Sequence, residues 1–393
     1  MYRKILFCLD NSDYANSGVE AGLRIAEASR ATVAGCHVYA ARLHSERFKE
    51  MEGGLPAEYR AEEKLKEQRE IHEGLIEKGL RIISDSYIAP FLARAEGTGL
   101  KALCISREGK NFEEIVKEAE ENAYDLVVMG AHGLGKTEFS RIGSVVERVA
   151  RRIKCDLLIM KDASYSGPSG DIAVAIDGSP ASFGAMNAAI CLSKFFNTGV
   201  EAVSAFDPDF HRTAFRSIAG VLSDEAGRLF RFKEQEKLHD EIIDSGLARI
   251  YASHLESAVK MAGDAGITLK TTLLSGKASA EIIRHCNAER PFILALGRTG
   301  AHAVPSLDIG SVAENCLREA PCNILITSKE AALPQTAASG VEWDAEAEKL
   351  LSSIPSFIRQ MVRKMAEDAA RKDGVETITP QYMRKVRERM GND

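Results

Sequence analysis

With 393 residues, 45% hydrophobic side chains and a net charge of −6, the chain is long enough for more than one packed domain, and its acidity argues against a general nucleic-acid binder. No apolar run approaches the roughly 20 residues of a membrane span, and the run from Ile5 to Leu9 meets Asp10 too soon for a signal peptide, so a cytoplasmic protein is expected. The eight cysteines form no CxxC pair and most sit in apolar runs, which reads as reduced core thiols rather than a disulfide or metal framework.

In chain order, Lys4 to Leu9 reads as a strand, Ser17 to Ala28 has helical spacing, and Thr32 to Tyr39 is a second strand. Arg42 to Ala95 is rich in Glu, Lys and Arg with apolar residues at helical spacing, which predicts one or two long helices with much solvated surface. A strand at Leu100 to Ser106, a helix over Asn111 to Asn122, a strand at Asp125 to Met129, a glycine-rich loop, a helix from Ser144 and a strand at Asp156 to Met160 follow. Alternating strands and helices predict a parallel sheet covered on both faces, with ligands at the carboxyl ends of its strands. Asp10 and Gly130 both fall at such ends.

This pattern is written twice. Gly130, Gly133, Gly143, Ser144 and Asp10 recur 167 residues later as Gly297, Gly300, Gly310, Ser311 and Asp177. Lys66-Glu67-Gln68, His72 and Gly79 recur as Lys233-Glu234-Gln235, His239 and Gly246. Two copies of one domain are therefore expected, over residues 1–162 and 171–328, joined by a Ser/Gly/Pro linker between them. In each copy a strand feeds a loop with three glycines, and the last glycine precedes a helix. Such a loop lets backbone N–H groups approach an anion, and the helix N-terminus adds partial positive charge worth up to about 2 kcal/mol, so phosphate is the natural guest.

Gly130-Ala131-His132-Gly133-Leu134-Gly135-Lys136-Thr137 also fits the P-loop pattern GxxxxGK[ST]. A P-loop helix would begin at Lys136-Thr137, whereas the loop runs on to Gly143, and the second copy reads Gly297-Arg298-Thr299-Gly300-Ala301-His302-Ala303-Val304 without GK[ST]. The pattern is therefore read as fortuitous. His132 lies in the loop with contact to a phosphate and solvent exposure weighed equally, while His72 and His239 read as packing or surface residues. No paired nucleophile and base or metal-ligand spacing emerges, so a dedicated catalytic centre is not supported beyond slow ATP hydrolysis.

The spacing Gly130-x2-Gly133-x9-Gly143-Ser144, with Asp10 closing the first strand and Val38 near the end of the second, resembles the nucleotide-binding type of universal stress protein, and Gly297-x2-Gly300-x9-Gly310-Ser311 matches equally. The resemblance implies two tandem five-stranded parallel α/β domains, Rossmann-like and similar to adenine nucleotide alpha hydrolases, that bind ATP or AMP; magnesium or manganese is a candidate companion of the nucleotide. It places Asp10 and Val38 at the adenine, Met129 and Gly130 along the ribose, and Gly133, Gly143, Ser144 and Val145 at the phosphates. The corresponding second set is Asp177, Ala205, Leu296, Gly297, Gly300, Gly310, Ser311 and Val312. It further implies dimerisation through the last strand, which a tandem chain can satisfy internally as a pseudo-dimer, with a homodimer as the alternative.

The copies are not equivalent. Lys136 and Arg141 in the first loop become Ala303 and Asp308 in the second, and Val38 becomes Ala205, while Arg298 and His302 are candidates to compensate. A carboxylate in place of a cation near a triphosphate turns attraction into repulsion of order 1 kcal/mol or more. The first site is therefore expected to bind ATP and the second to bind weakly, to take AMP, or to be vestigial.

After a Pro/Ala/Ser linker over 328–341, residues 342–391 read as three short helices, with Thr379 and Pro380 marking the start of the last. The pattern from Trp343 through Ile354-Pro355, Phe357, Arg359, Glu367, Ala370-Arg371 and Gly374 to Ile378-Thr379 resembles the small C-terminal module found in light-independent protochlorophyllide reductase. The reductase body and its cluster-ligating cysteines are absent. So small a module suits either packing on the tandem domains or docking of a protein or a tetrapyrrole-related ligand. The readings carried forward are an adenine-nucleotide-binding stress regulator, an interaction scaffold presenting these helices, and a weak ATPase.

Overall fold

The computed structural model describes residues 2–59, 61–208, 244–304, 308–331, 341–354 and 356–390. Lys233, Glu234, Gln235, His239 and Pro355, with most of the 328–341 linker, lie outside the described residues.

Strand β1 (Lys4–Cys8) sends Ile5 and Phe7 into one apolar layer and Leu6 and Cys8 toward another, as a strand buried on both faces must. It pairs in parallel with β2 (Thr32–Tyr39) and β4 (Leu126–Gly130); β3 (Ala102–Glu108) pairs with β2, and β5 (Asp156–Met160) with β4. Helices α1 (Asp13–Ser29) and α3 (Glu62–Gly97) cover one face; α4 (Asn111–Glu121) and α5 (Ser144–Arg152) cover the other. The long charged stretch resolves into α2 (Ala41–Met51) and α3, with His72 stacked on Phe48 at a centroid distance of 4.3 Å. Because β1 leads to a helix on one face and β4 to a helix on the other, the chain reverses direction between them. That reversal opens a crevice at their carboxyl ends.

The second half repeats the plan with β6 (Ile172–Ala175), α6 (Pro180–Phe196), β7 (Val200–Phe206), α7 (Asp244–Asp264), β8 (Leu269–Ser275), α8 (Ala278–Glu289), β9 (Ile293–Gly297), α9 (Ser311–Glu319) and β10 (Asn323–Thr327). The halves join edge to edge into one ten-stranded sheet of order β3-β2-β1-β4-β5-β10-β9-β6-β7-β8. Only the β5–β10 seam is antiparallel, and in it Leu158 faces Leu325, its own repeat. A pseudo-two-fold axis passes there, and both apolar layers run across it.

Polar groups repeat about the same axis. Asp156 Oδ1 accepts from Ser328 N at 2.9 Å, and its counterpart Asn323 Oδ1 accepts from Lys161 N at 2.9 Å. Arg151 pairs with Glu314, and its counterpart Arg318 pairs with Glu147, tying α5 to α9 in both directions. This is the reciprocity of an isologous dimer carried out within one chain. Lys161 Nζ donates to Ala320 O at 2.7 Å, and its burial pulls the ammonium down to about 8.

The tail holds the three expected helices, α10 (Ala345–Ser353), α11 (Ser356–Asp373) and α12 (Pro380–Met390), together with a parallel ribbon of β11 (Glu342–Trp343) and β12 (Thr377–Ile378) that helical spacing does not announce. Thr379 Oγ1 accepts from Tyr382 N, capping α12. A separate core forms around Ala347, Ala366, Ala370, Ile378, Tyr382 and Val386, and Trp343 Nε1 donates to the buried Glu367. Lys364 reaches Glu256 on α7 at 2.6 Å, linking the tail to the second half.

Candidate functional site

Each half carries a cavity at its strand reversal. The first, of about 550 Å³, is floored by Cys8, Cys36 and Val38, walled by Asp10, Met129 and Gly130, and rimmed by Gly133, Lys136, Gly143, Ser144 and Val145. The second, of about 210 Å³, is bounded by Asp177, Ala205, Leu296, Gly297, Gly300, Gly310, Ser311 and Val312 among the described residues. Of the nucleotide-site residues expected from the sequence, Arg141 alone does not line a cavity: its guanidinium reaches across the seam to Glu319 at 2.6 Å.

The glycines are there because something sits where a side chain would go. A Cβ on Gly133 would lie 2.6 Å from Asp10 Oδ2, and one on Gly300 would lie 2.6 Å from Asp177 Oδ2. At Gly130 a Cβ would strike the backbone of α1 at Ala15, 2.7 Å away, so this glycine lets the helix close onto the strand end. The loop folds back through Gly143 N–H, which donates to Ala131 O at 2.8 Å; Gly310 N–H does the same to Arg298 O. No helix occurs between Lys136 and Gly143, and α5 starts only at Ser144, which is not P-loop geometry.

Helix α5 follows Gly143 with no side-chain cap, and α4 follows Lys110 with none either. Ser144, Val145 and Asn111 of these first turns line the cavity, so two helix ends present open N–H groups to it. The second cavity repeats this with α9 after Gly310 and α8 after Lys277. By contrast, α1 is capped by Ser12, whose own N and Oγ donate to Asp10 Oδ1 at 3.0 and 2.6 Å. Asp10 therefore holds the turn with one oxygen. Among the described residues nothing donates to its Oδ2, whereas Asp177 Oδ2 accepts from Ala301 N at 2.9 Å.

Cation and ring groups are concentrated in the first cavity. Lys136 Nζ donates to Tyr14 Oη at 2.5 Å, and the Tyr14 ring meets His132 edge-on at 5.2 Å. His132 is only 8% exposed, and its Nδ1 has no partner among the described residues. Burial lowers its pKa from the usual 6.5, helped by the ammonium groups of Lys136 and Lys161. Tyr14 stands behind Lys136 and His132, whereas His37 and Tyr87 line the cavity themselves, in edge-on contact at 5.0 Å; burial lowers the His37 pKa against the pull of Asp10. Sequence reasoning left out His37, Tyr14 and Tyr87. The signal was there in the repeat, since their counterparts are Ser204, Ala181 and His254.

In the second half the candidate compensating residue Arg298 turns away from the cavity. It is buried in the seam, donating to Ala150 O and Ser328 Oγ, and that burial lowers its pKa. Asp308 lies 4.0 Å from Arg151 of the first half. His302 remains on the cavity wall. Among the described residues no three His, Cys, Asp or Glu side chains cluster as a metal site, and no helix is long and apolar enough to cross a membrane.

Two segments, 1–161 and 169–328, each match the universal stress protein family. The chain belongs to that family. A universal stress protein of Bacillus subtilis is 25% identical over 161 residues, covering 41% of this chain and all of that one. Among solved structures, a functionally unknown protein of Pseudomonas aeruginosa covers 83% of this chain and 92% of its own at 14% identity and a TM-score of 0.50, a likeness of fold alone. Behind the two universal stress protein domains, residues 343–387 match the proto-chlorophyllide reductase 57 kD subunit family. A light-independent protochlorophyllide reductase polypeptide of Chlorobium phaeobacteroides is 40% identical over 52 residues, 13% of this chain, and the match spans only 10% of that protein.

Proposed function

We propose that the chain is a stress-response regulator that binds an adenine nucleotide, ATP or AMP, tightly in the first cavity and weakly or not at all in the second. The observation that carries the reading is the concentration, around one 550 Å³ space, of two uncapped helix ends, an ammonium group and a carboxylate oxygen without a donor among the described residues. Pockets of this size suit nucleotide-sized ligands. Lys136 and the first amides of α5 would take the phosphates, and Asp10 Oδ2 would accept from an amine or hydroxyl of the nucleoside. Magnesium or manganese, if it accompanies ATP, would be carried mainly by the phosphates.

In the second cavity the smaller volume, Ala303 in place of lysine and the occupied Asp177 Oδ2 all weaken the case for a triphosphate. The tail, with its own core, suits a docking role for a protein partner. Calorimetry on the full chain should find one tight ATP site, with nucleotide also carried through purification. Two equal sites, or none, would overturn the reading.

A further inference from the structure

Among the described residues, helix α3 is covered on two flanks and bare on the third. Its Arg69 pairs with Glu52 and its His72 stacks on Phe48 on the side of α2, while Ser84, Ile88, Phe91 and Ala95 are buried on the side of the sheet. On the remaining face Ile71, Leu75 and Ile82, at i, i+4 and i+11, are 55%, 67% and 69% exposed. Gly74 and Gly79 border the same face, and nothing lies within 4 Å of where either Cβ would be. Glycine inside a helix is destabilising relative to alanine, and no contact among the described residues requires it at either position.

The stripe is palindromic. Ile71 and Ile82, Gly74 and Gly79, and Leu75 and Lys78 lie at equal distances from a point between residues 76 and 77. A second copy crossing antiparallel about a two-fold axis at that point brings Ile71 against the partner's Ile82, with Gly74 and Gly79 at the two edges of the contact. The glycines let the backbones approach closely. Arg81 and Glu70, both exposed and on one side of the stripe, come within a turn of each other across the pair, so charge complements the apolar contact.

We propose that this face of α3 is a homodimer contact, an isologous antiparallel pairing with a second copy of the chain. It is separate from the β5–β10 seam, which is filled within the chain. One helix face buries well under the roughly 800 Å² per partner of a standard interface, so the dimer is weak, with a dissociation constant of order 10 μM.

Sedimentation velocity on the full chain, from about 1 to 200 μM, tests this. A concentration-dependent dimer is expected. Ile82→Glu, at an exposed position that leaves helicity unchanged by circular dichroism, should weaken it at least about 30-fold. Gly79→Leu, which favours the helix itself, should also weaken it. Arg81→Glu should cost about 3-fold, and adding Glu70→Arg should restore association. A monomer at every concentration, or a dimer indifferent to Ile82→Glu, overturns the proposal.

Discussion

His132 and Lys136 line the first cavity, with Tyr14 against both; 167 residues on, Thr299 and Ala303 line the second, and the counterpart of Tyr14 is Ala181. The backbone beneath is shared, down to a glycine whose Cβ would lie 2.6 Å from an aspartate oxygen and a helix opened by an uncapped glycine. The comparison teaches that a duplicated fold preserves the frame that makes an anion site feasible while the side chains that set its strength drift. Packing fixes the frame, since a Cβ at Gly130 or Gly297 would strike a helix backbone. Lys136, exposed at the rim and resting only on Tyr14 among these contacts, is under no such constraint.

The sharpest way to break the comparison is Gly133→Val, which drives a side chain onto Asp10 Oδ2. Tight ATP binding by calorimetry should fall about 100-fold or more, whereas Gly300→Val should leave it intact, although each loses stability by about 1–3 kcal/mol. Lys136→Ala removes one charge-assisted contact. It should weaken ATP about tenfold and AMP less, and Ala303→Lys should raise the affinity of the second cavity in return.

Acidification probes His132. Its folded pKa lies below 6.5, so the unliganded protein keeps this contribution to stability above 6.5 and loses it as pH falls through 6.5 toward the folded value. Bound phosphate would favour the imidazolium. ATP affinity should therefore rise a few-fold from pH 7.5 to 6, with proton uptake visible as a buffer-dependent heat, and His132→Asn should flatten both. The smallest effect is expected at the seam: Arg151→Ala and Arg318→Ala should each cost about 0.5–1 kcal/mol by thermal unfolding, less at high salt, and nearly the same amount if the two halves are equivalent there.

Much of the fold was legible because its signals are local. The run from Thr32 to Tyr39, the strand from Asp156 to Met160 and the helix start at Ser144 all carry their own periodicity or punctuation, and the 167-residue offset tied them into two copies. What escaped depends on which surfaces meet. Arg141 sits in the phosphate loop by sequence yet pairs with Glu319, 178 residues away, because the seam turns the rim of the first loop toward α9. Arg298 follows the same logic, drawn into the seam beside Ala150 and Ser328. A repeat reveals that two halves exist, but not which faces they turn to one another.

The β5–β10 seam has a consequence for dilute conditions. Two separate chains meeting edge to edge would part as their concentration fell. Here the connection from Met160 to Ile172 keeps the edges at an effective concentration of order millimolar whatever the abundance of the protein. The two cavities are thus delivered as a fixed pair, one per chain of each kind, and a cell that makes few copies still makes every one of them whole.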